Sequence, residues 1–164
     1  MHEQNVARAI IDANIYMVLA TADEMGRPWA SPVYFAHSGY ATFVWVSSPD
    51  ATHSRNIAVR PQVGIVVFNS HAAIGAGQGV YMSADAERVP REELDEWVGV
   101  FSRRSVANGG AMWKLEDVWS EAPFRLYRAT ATEYSILVKD GRADHRIVAD
   151  LVARIPESRP VQPT

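Results

Sequence analysis

Apolar and polar positions change period several times along this chain, and each change marks an element. Residues 3–13 set Val6, Ala9, Ile10 and Ala13 on one helical face, which predicts a short amphipathic helix. Residues 15–22, I-Y-M-V-L-A-T-A, are almost uniformly apolar and predict a buried strand. Asp23 to Pro28 then turns the chain, with Gly26 supplying the permissive backbone. A second strand is expected over Trp29 to Ala36; Pro32 cannot donate to a ladder, so an edge or a bulge is implied. His37-Ser38-Gly39 leads into a third strand, Thr42 to Val46, which is β-branched and aromatic.

The next stretch organises the chain. Ser47-Ser48-Pro49-Asp50 stops the third strand, and Ala51 to Arg60 reads as a short helix with Ile57 facing inward. Ser47, Ser48, Thr52, His53, Ser54 and Arg55 crowd hydroxyls and cations around this one strand-to-helix turn. Helix N-terminal amides suit an anion such as a phosphate. An ordinary capped helix with a solvated first turn has the same spacing, which by itself leaves both readings open.

Further along, Gln62 to Asn69 predicts a fourth strand and Val80 to Val89 alternates as a fifth. Leu94, Trp97, Val98 and Phe101 form an apolar stripe on a helix over Arg91 to Arg104, ended by Asn108-Gly109-Gly110. Ala111 to Trp119 reads as a short helical connector. Phe124 to Val138 reads as a long final strand or bent pair, closed by Asp140-Gly141. Ile147, Leu151, Val152 and Ile155 predict a last amphipathic helix over Arg146 to Ile155, followed by a loose, proline-bearing tail over 156–164. About six strands joined mostly by tight turns, with helices at the edges, give a mainly β fold. It is expected to be a small antiparallel barrel forming one domain over 1–155.

Composition narrows the function classes. With 164 residues, 48% of them hydrophobic, the chain can bury a real core. A net charge of -3 gives no electrostatic case for nucleic acid or an anionic membrane. There is no cysteine, hence no disulfide, thiolate metal site or cysteine nucleophile. No apolar run reaches membrane-spanning length, and M-H-E-Q-N lacks the basic start and apolar middle of a signal peptide, so a cytoplasmic protein is expected. The five histidines show no paired ligand spacing, so no metal site is predicted. Gly75-Ala76-Gly77-Gln78-Gly79 fails as a dinucleotide fingerprint: the third glycine would fall on Val80, and a strand follows. Trp97 is expected in the core, Trp29 and Trp45 in the core or on a ligand wall, and Trp113 and Trp119 on a partner surface or a satellite core. No acid–base pair or triad can be argued from sequence, and catalytic residues are left unassigned.

The segments L-A-T-A-D-E-M-G-R-P-W-A-S-P-V-Y-F-A (19–36), F-V-W-V-S-S-P-D-A-T-H-S-R-N-I-A-V-R-P-Q-V-G-I-V-V-F (43–68) and G-V-Y-M-S-A-D-A-E-R-V (79–89), in this order, resemble the pyridoxamine 5′-phosphate oxidase-like, FMN-binding split-barrel family. The resemblance spans about residues 5 to 138. It implies a six-stranded split barrel, a homodimer, and FMN in clefts between the subunits. It places the backbone of Ser31, Pro32, Val33 and Tyr34 along the flavin and Val46 and Ser47 against it. The phosphate falls at the turn holding Thr52, His53, Ser54 and Arg55. Thr52 and His53 stand where relatives carry Arg-Lys, and Arg55 is positioned to compensate. Gln78 matches, to within one position, a glutamine that reaches the flavin ring. Arg142, His145 and Arg146 lie near the family's basic C-terminal motif, but the tail differs, which puts pyridoxamine phosphate oxidation in doubt. The resemblance thus implies an FMN-dependent oxidoreductase acting on a small molecule. Two alternatives stand beside it: a flavin-binding protein without turnover, and an enzyme for the deazaflavin F420 used by a sister branch.

Overall fold

The computed structural model describes residues 2–138 and 145–151. The first helix, α1 (His2–Ala13), leads into β1 (Tyr16–Ala22), β2 (Pro28–Tyr34), β3 (Ala36–Ser38) and β4 (Thr42–Ser47). After α2 (Thr52–Val59) come β5 (Gln62–Phe68), β6 (Gly79–Arg88), α3 (Leu94–Ala107), β7 (Arg125–Val138) and β8 (His145–Val148). Single 3-10 turns at Arg91–Glu93 and Leu115–Asp117 flank α3. All strand pairs are antiparallel, in the order β2-β1-β5-β6-β7-β4-β3, with β8 added to β7.

The curled, mainly antiparallel sheet agrees with the expected barrel, but among the described residues it has eight strands rather than six. One extra strand arises because the expected second strand breaks at Phe35. The other replaces the start of the expected last helix. Ile147, Ala149 and Leu151 are the inward positions and Val148 is 85% exposed, a period of two that pairs His145–Val148 with β7. Residues 152–155 of that predicted helix, the Asp140-Gly141 turn, Arg142 and the 156–164 tail lie outside the described residues. The connector 111–119 is irregular apart from its single 3-10 turn.

Two cores form. The barrel interior holds Met17, Leu19, Phe35, Phe43, Trp45, Ile65 and Val67, all 1% exposed or less. On that core α1 lays Ala7 and Ile11. A second cluster packs the stripe of α3 (Leu94, Val98, Phe101) against Ala36, Val44 and Leu126. Trp97 and Trp113 are half-buried against it, and Trp113 meets Phe101 edge-on at 5.7 Å. Trp119 instead sits at the surface between the guanidinium groups of Arg88 and Arg91.

The C-terminus of α1 carries no basic residue of its own. Arg104 of α3 supplies the charge from outside, donating to the carbonyls of Ile11 (3.3 Å) and Asn14 (2.8 Å). Those carbonyls are among the groups a helix leaves unpaired at its end. The β1–β2 turn is built by Asp23, whose carboxylate accepts the backbone N–H of Met25 and of Arg27, both at 2.9 Å. Gly26 takes φ 81° there, and Arg60 at the end of α2 clamps the carbonyls of Asp23 and Glu24. The start of β2 is therefore held in place by the end of α2.

Candidate functional site

The sheet begins at β2 and doubles back through β3 and β4, so β2 has β1 on one side and an open edge on the other. This edge position accommodates Pro32, which has no N–H to donate. β4 pairs β3 only over Thr42–Val44, which leaves Trp45 to Ser47 paired with β7 alone. Two open backbone edges, Ser31–Val33 and Trp45–Ser47, thus belong to neighbouring strands at the split of the barrel.

One side chain bridges them. His53, in the first turn of α2, is 8% exposed. Its Nδ1 lies 3.1 Å from Ser31 Oγ of β2, and its Nε2 lies 2.7 Å from Ser47 Oγ of β4. Trp29 Nε1 donates to the same Ser31 Oγ at 3.0 Å. One turn further along α2, the buried Asn56 amide donates to Thr21 Oγ1 of β1 at 3.0 Å, and Ile57 enters the barrel core. These contacts fix the rotation of α2 and aim His53 into the split.

The α2 start is short of acceptors. Its N-cap residue is Ala51, which makes no side-chain cap, and its first turn contains no acidic residue. Ser48 Oγ accepts the Asp50 N–H at 3.2 Å, and Pro49 ends the strand. The Ser54 hydroxyl is buried without a hydrogen-bond partner. Arg55 is exposed, and its guanidinium donates back to the Asp50 carbonyl.

Of the residues expected at the site, Ser31, Ser47 and His53 are joined directly, and Thr52, Ser54 and Arg55 share the same helical turn. Val33 is buried in the barrel core, Tyr34 meets Phe101 edge-on at 5.5 Å, and Val46 packs on the second cluster. Their side chains are thereby committed to packing, so Val33, Tyr34 and Val46 offer a ligand only backbone, as does the N–H-less Pro32. Gln78 directly precedes β6, which pairs with β5 and β7 rather than with β2 or β4, and no hydrogen bond joins it to the others among the described residues. Sequence reasoning missed Asn56 and left Trp29 undecided. The signal for Trp29 was its i, i+2 spacing to Ser31, which puts both on one face of a strand.

Burial depresses the pKa of His53 below its ordinary value of 6.5. His37, whose Nε2 lies 3.2 Å from Asp12 Oδ1, is depressed as well, first by burial and then by the Arg104 charge. A histidine whose folded pKa is lowered stabilises the fold fully above its unfolded pKa, and that contribution drains away as pH falls through the folded value. Urea midpoints are therefore expected to drop from pH 7.5 to pH 5.5, and a His53→Gln chain to show a flatter profile. A midpoint that rises towards acid would contradict this.

The sequence profile described as pyridoxamine 5′-phosphate oxidase matches residues 4–138. The chain belongs to the pyridoxamine 5′-phosphate oxidase family. No curated protein sequence matches it. Among solved structures, it is similar to a heme binding protein from Mycobacterium smegmatis, with 23% identity and a TM-score of 0.69 over 88% of this chain and 57% of that one. The chain thus spans little more than half the length of that protein. HutZ, a heme storage protein from Vibrio cholerae, is 23% identical with a TM-score of 0.60, over 80% of this chain and 91% of its own. An FAD-binding protein from Mesorhizobium loti is 20% identical with a TM-score of 0.60, over 87% and 91%. At these identities the likeness is one of fold. Within the pyridoxamine 5′-phosphate oxidase fold, the Ser31–His53–Ser47 bridge sits where β2, β4 and α2 meet.

Proposed function

We propose that this chain binds FMN at the split of its barrel and works as an oxidoreductase on a small molecule. The observation that carries this reading is the meeting of two open strand edges with an uncapped helix start, tied together by His53. The residues present fit a phosphate: Ala51 leaves the first-turn amides without a side-chain acceptor, and Ser54 holds a buried hydroxyl with no partner. Ser47, Thr52 and Ser54 would hold the phosphate, with Arg55 as its cation once released from the Asp50 carbonyl. The open backbone of Ser31–Val33 would face the ring. Bound flavin supplies the hydride or electron transfer itself, so the protein need only bind, orient and tune it. That accounts for a site without an acid–base dyad.

The phosphate assignment predicts that Arg55→Ala weakens FMN by about 1.5–3 kcal/mol, the range for a hydrogen bond to a charged group. Riboflavin, which lacks the phosphate, should bind the variant and the native chain alike. Equal affinity of the native chain for FMN and riboflavin would refute the assignment. Heme is what two of the compared structures are named for. His53 has both ring nitrogens engaged by serine hydroxyls, and the flavin reading predicts that the purified protein shows the absorption spectrum of a flavin; a Soret band would overturn it. A deazaflavin would be told from FMN by mass spectrometry of the released cofactor. A flavin that substrate or a nicotinamide donor cannot reduce would identify a binding protein without turnover.

The family architecture further suggests a homodimer, with Gln78 reaching a flavin ring. In support, the outer face is hollowed into a cavity of about 770 Å³ that includes the small residues Ala20, Gly64, Ser83 and Ala131. Tyr16, Trp29 and Phe68 are 57%, 50% and 44% exposed. Light scattering at micromolar concentration should give twice the chain mass, and a monomeric mass would exclude this arrangement.

A further inference from the structure

We infer that Ser31, His53 and Ser47 form a directional hydrogen-bond chain, which offers a free hydroxyl donor at its Ser47 end or at its Ser31 end but never at both. A neutral imidazole has one N–H and one lone pair. With the proton on Nε2, His53 donates across 2.7 Å to Ser47 Oγ, and Nδ1 accepts the Ser31 hydroxyl across 3.1 Å. Ser47 then has its O–H to spare, and the Ser31 proton is used up. With the proton on Nδ1, the roles reverse: Ser47 donates to the ring, and the Ser31 O–H is free. Trp29 Nε1 donates to Ser31 Oγ in either state, 3.0 Å away, so Ser31 never lacks a partner. Burial of His53 at 8% exposure keeps water from relieving the constraint.

The two ends of the site therefore have opposite polarity. An anion beside Ser47 needs a donor and selects the Nε2–H state. In that state Ser31 has spent its hydrogen and can only accept. The chain thus fits a ligand that carries an anionic group at the Ser47 end and an N–H at the Ser31 end. On the reading that the site takes FMN, which this step rests on, the phosphate would set the tautomer, and the ring edge facing Ser31 would present an N–H rather than a carbonyl. His53 is then a positioning residue that transmits polarity from one end of the ligand to the other.

Nitrogen-15 NMR of the full chain labelled in histidine tests this at pH 7.5, because the two tautomers have distinct ring-nitrogen shifts. Ser47→Ala removes the acceptor of the Nε2–H and should make the Nδ1–H form the majority. Ser31→Ala should make Nε2–H the majority, and Ser31→Thr, which keeps the hydroxyl, should return the native balance. FMN, and inorganic phosphate alone, should move the native chain towards Nε2–H, whereas riboflavin should not. Unchanged tautomers in both alanine variants, or a doubly protonated ring, would overturn the chain. FMN that binds without moving the tautomer would overturn its coupling to the ligand. Opposite shifts in the two alanine variants with no binding of FMN or phosphate would uphold the directional chain and remove the FMN reading instead.

Discussion

A Trp45→Ala chain is expected to lose about 3–5 kcal/mol of folding free energy, the usual cost of emptying a buried aromatic site. Trp45 is 0% exposed and stacks on Tyr127, its cross-strand partner on β7, at 5.9 Å with the rings 17° apart. It lies two residues before Ser47, so the cavity would open directly beneath the free edge of β4 and loosen one end of the His53 bridge. The expected readout is a large drop in the urea midpoint with an unchanged slope. Trp45→Phe separates volume from polarity. The indole N–H is buried without a partner, so phenylalanine removes an unsatisfied donor along with part of the bulk. Its loss should be well below that of the alanine variant. An alanine variant within about 1 kcal/mol of the native chain, the effect of an average substitution, would mean that the barrel collapses around the void.

Arg104→Ala is expected to cost about 2–3 kcal/mol, in the range for hydrogen bonds made by a charged group. Arg104 caps the C-terminal carbonyls of α1 at Ile11 and Asn14, and its guanidinium lies 4.9 Å from the centroid of the Phe35 ring. Removing it leaves those carbonyls without their donors and uncovers an aromatic ring of the barrel core. Arg104→Lys keeps the charge but loses the planar guanidinium over the Phe35 ring, so it should recover only part of the loss. Hydrogen exchange gives the specific readout: amides of α1 should exchange faster, while those of β6 and β7 keep their protection. Equal loss of protection throughout would mean that Arg104 supports the whole fold rather than the docking of one helix.

Strands whose inward and outward positions alternate, such as β5 and β6, could be read from the chain because period and burial agree. Two elements could not. The Arg146–Ile155 stretch spaces Ile147 and Leu151 as a helix would, and only pairing with the end of β7 makes Ala149 the intervening inward position. At Phe35 the backbone N–H still bonds the Ile15 carbonyl at 3.2 Å, one step beyond the Tyr16–Tyr34 pair, and from Ala36 the chain pairs with β4 instead, a change of partner that no local pattern encodes. At the site, the polar cluster was legible as composition: hydroxyls, a histidine and an arginine around one turn. Its wiring was not. Ser31 and His53 are far apart in the sequence, and their contact exists because Asn56 and Arg60 hold α2 against the β1–β2 hairpin. Burial favours the neutral form of His53, since desolvation penalises a charged imidazole.

The pairings of β7 bear on how the chain reaches this structure. β7 pairs with β6, β4 and β8, and its register joins Thr42 to Thr130 and Ser47 to Arg125 across about half of the sequence. Pairing of such long range must overcome loop-closure entropy before it yields any stabilisation, so the barrel should fold slowly for its size. During synthesis β4 waits with an unpaired edge until β7 has emerged, and an edge rich in valine and aromatic residues is prone to pair with other chains in that interval. A ribosome stalled before residue 125 would therefore hold a chain that has both strands flanking the site and lacks the strand that closes the barrel behind them.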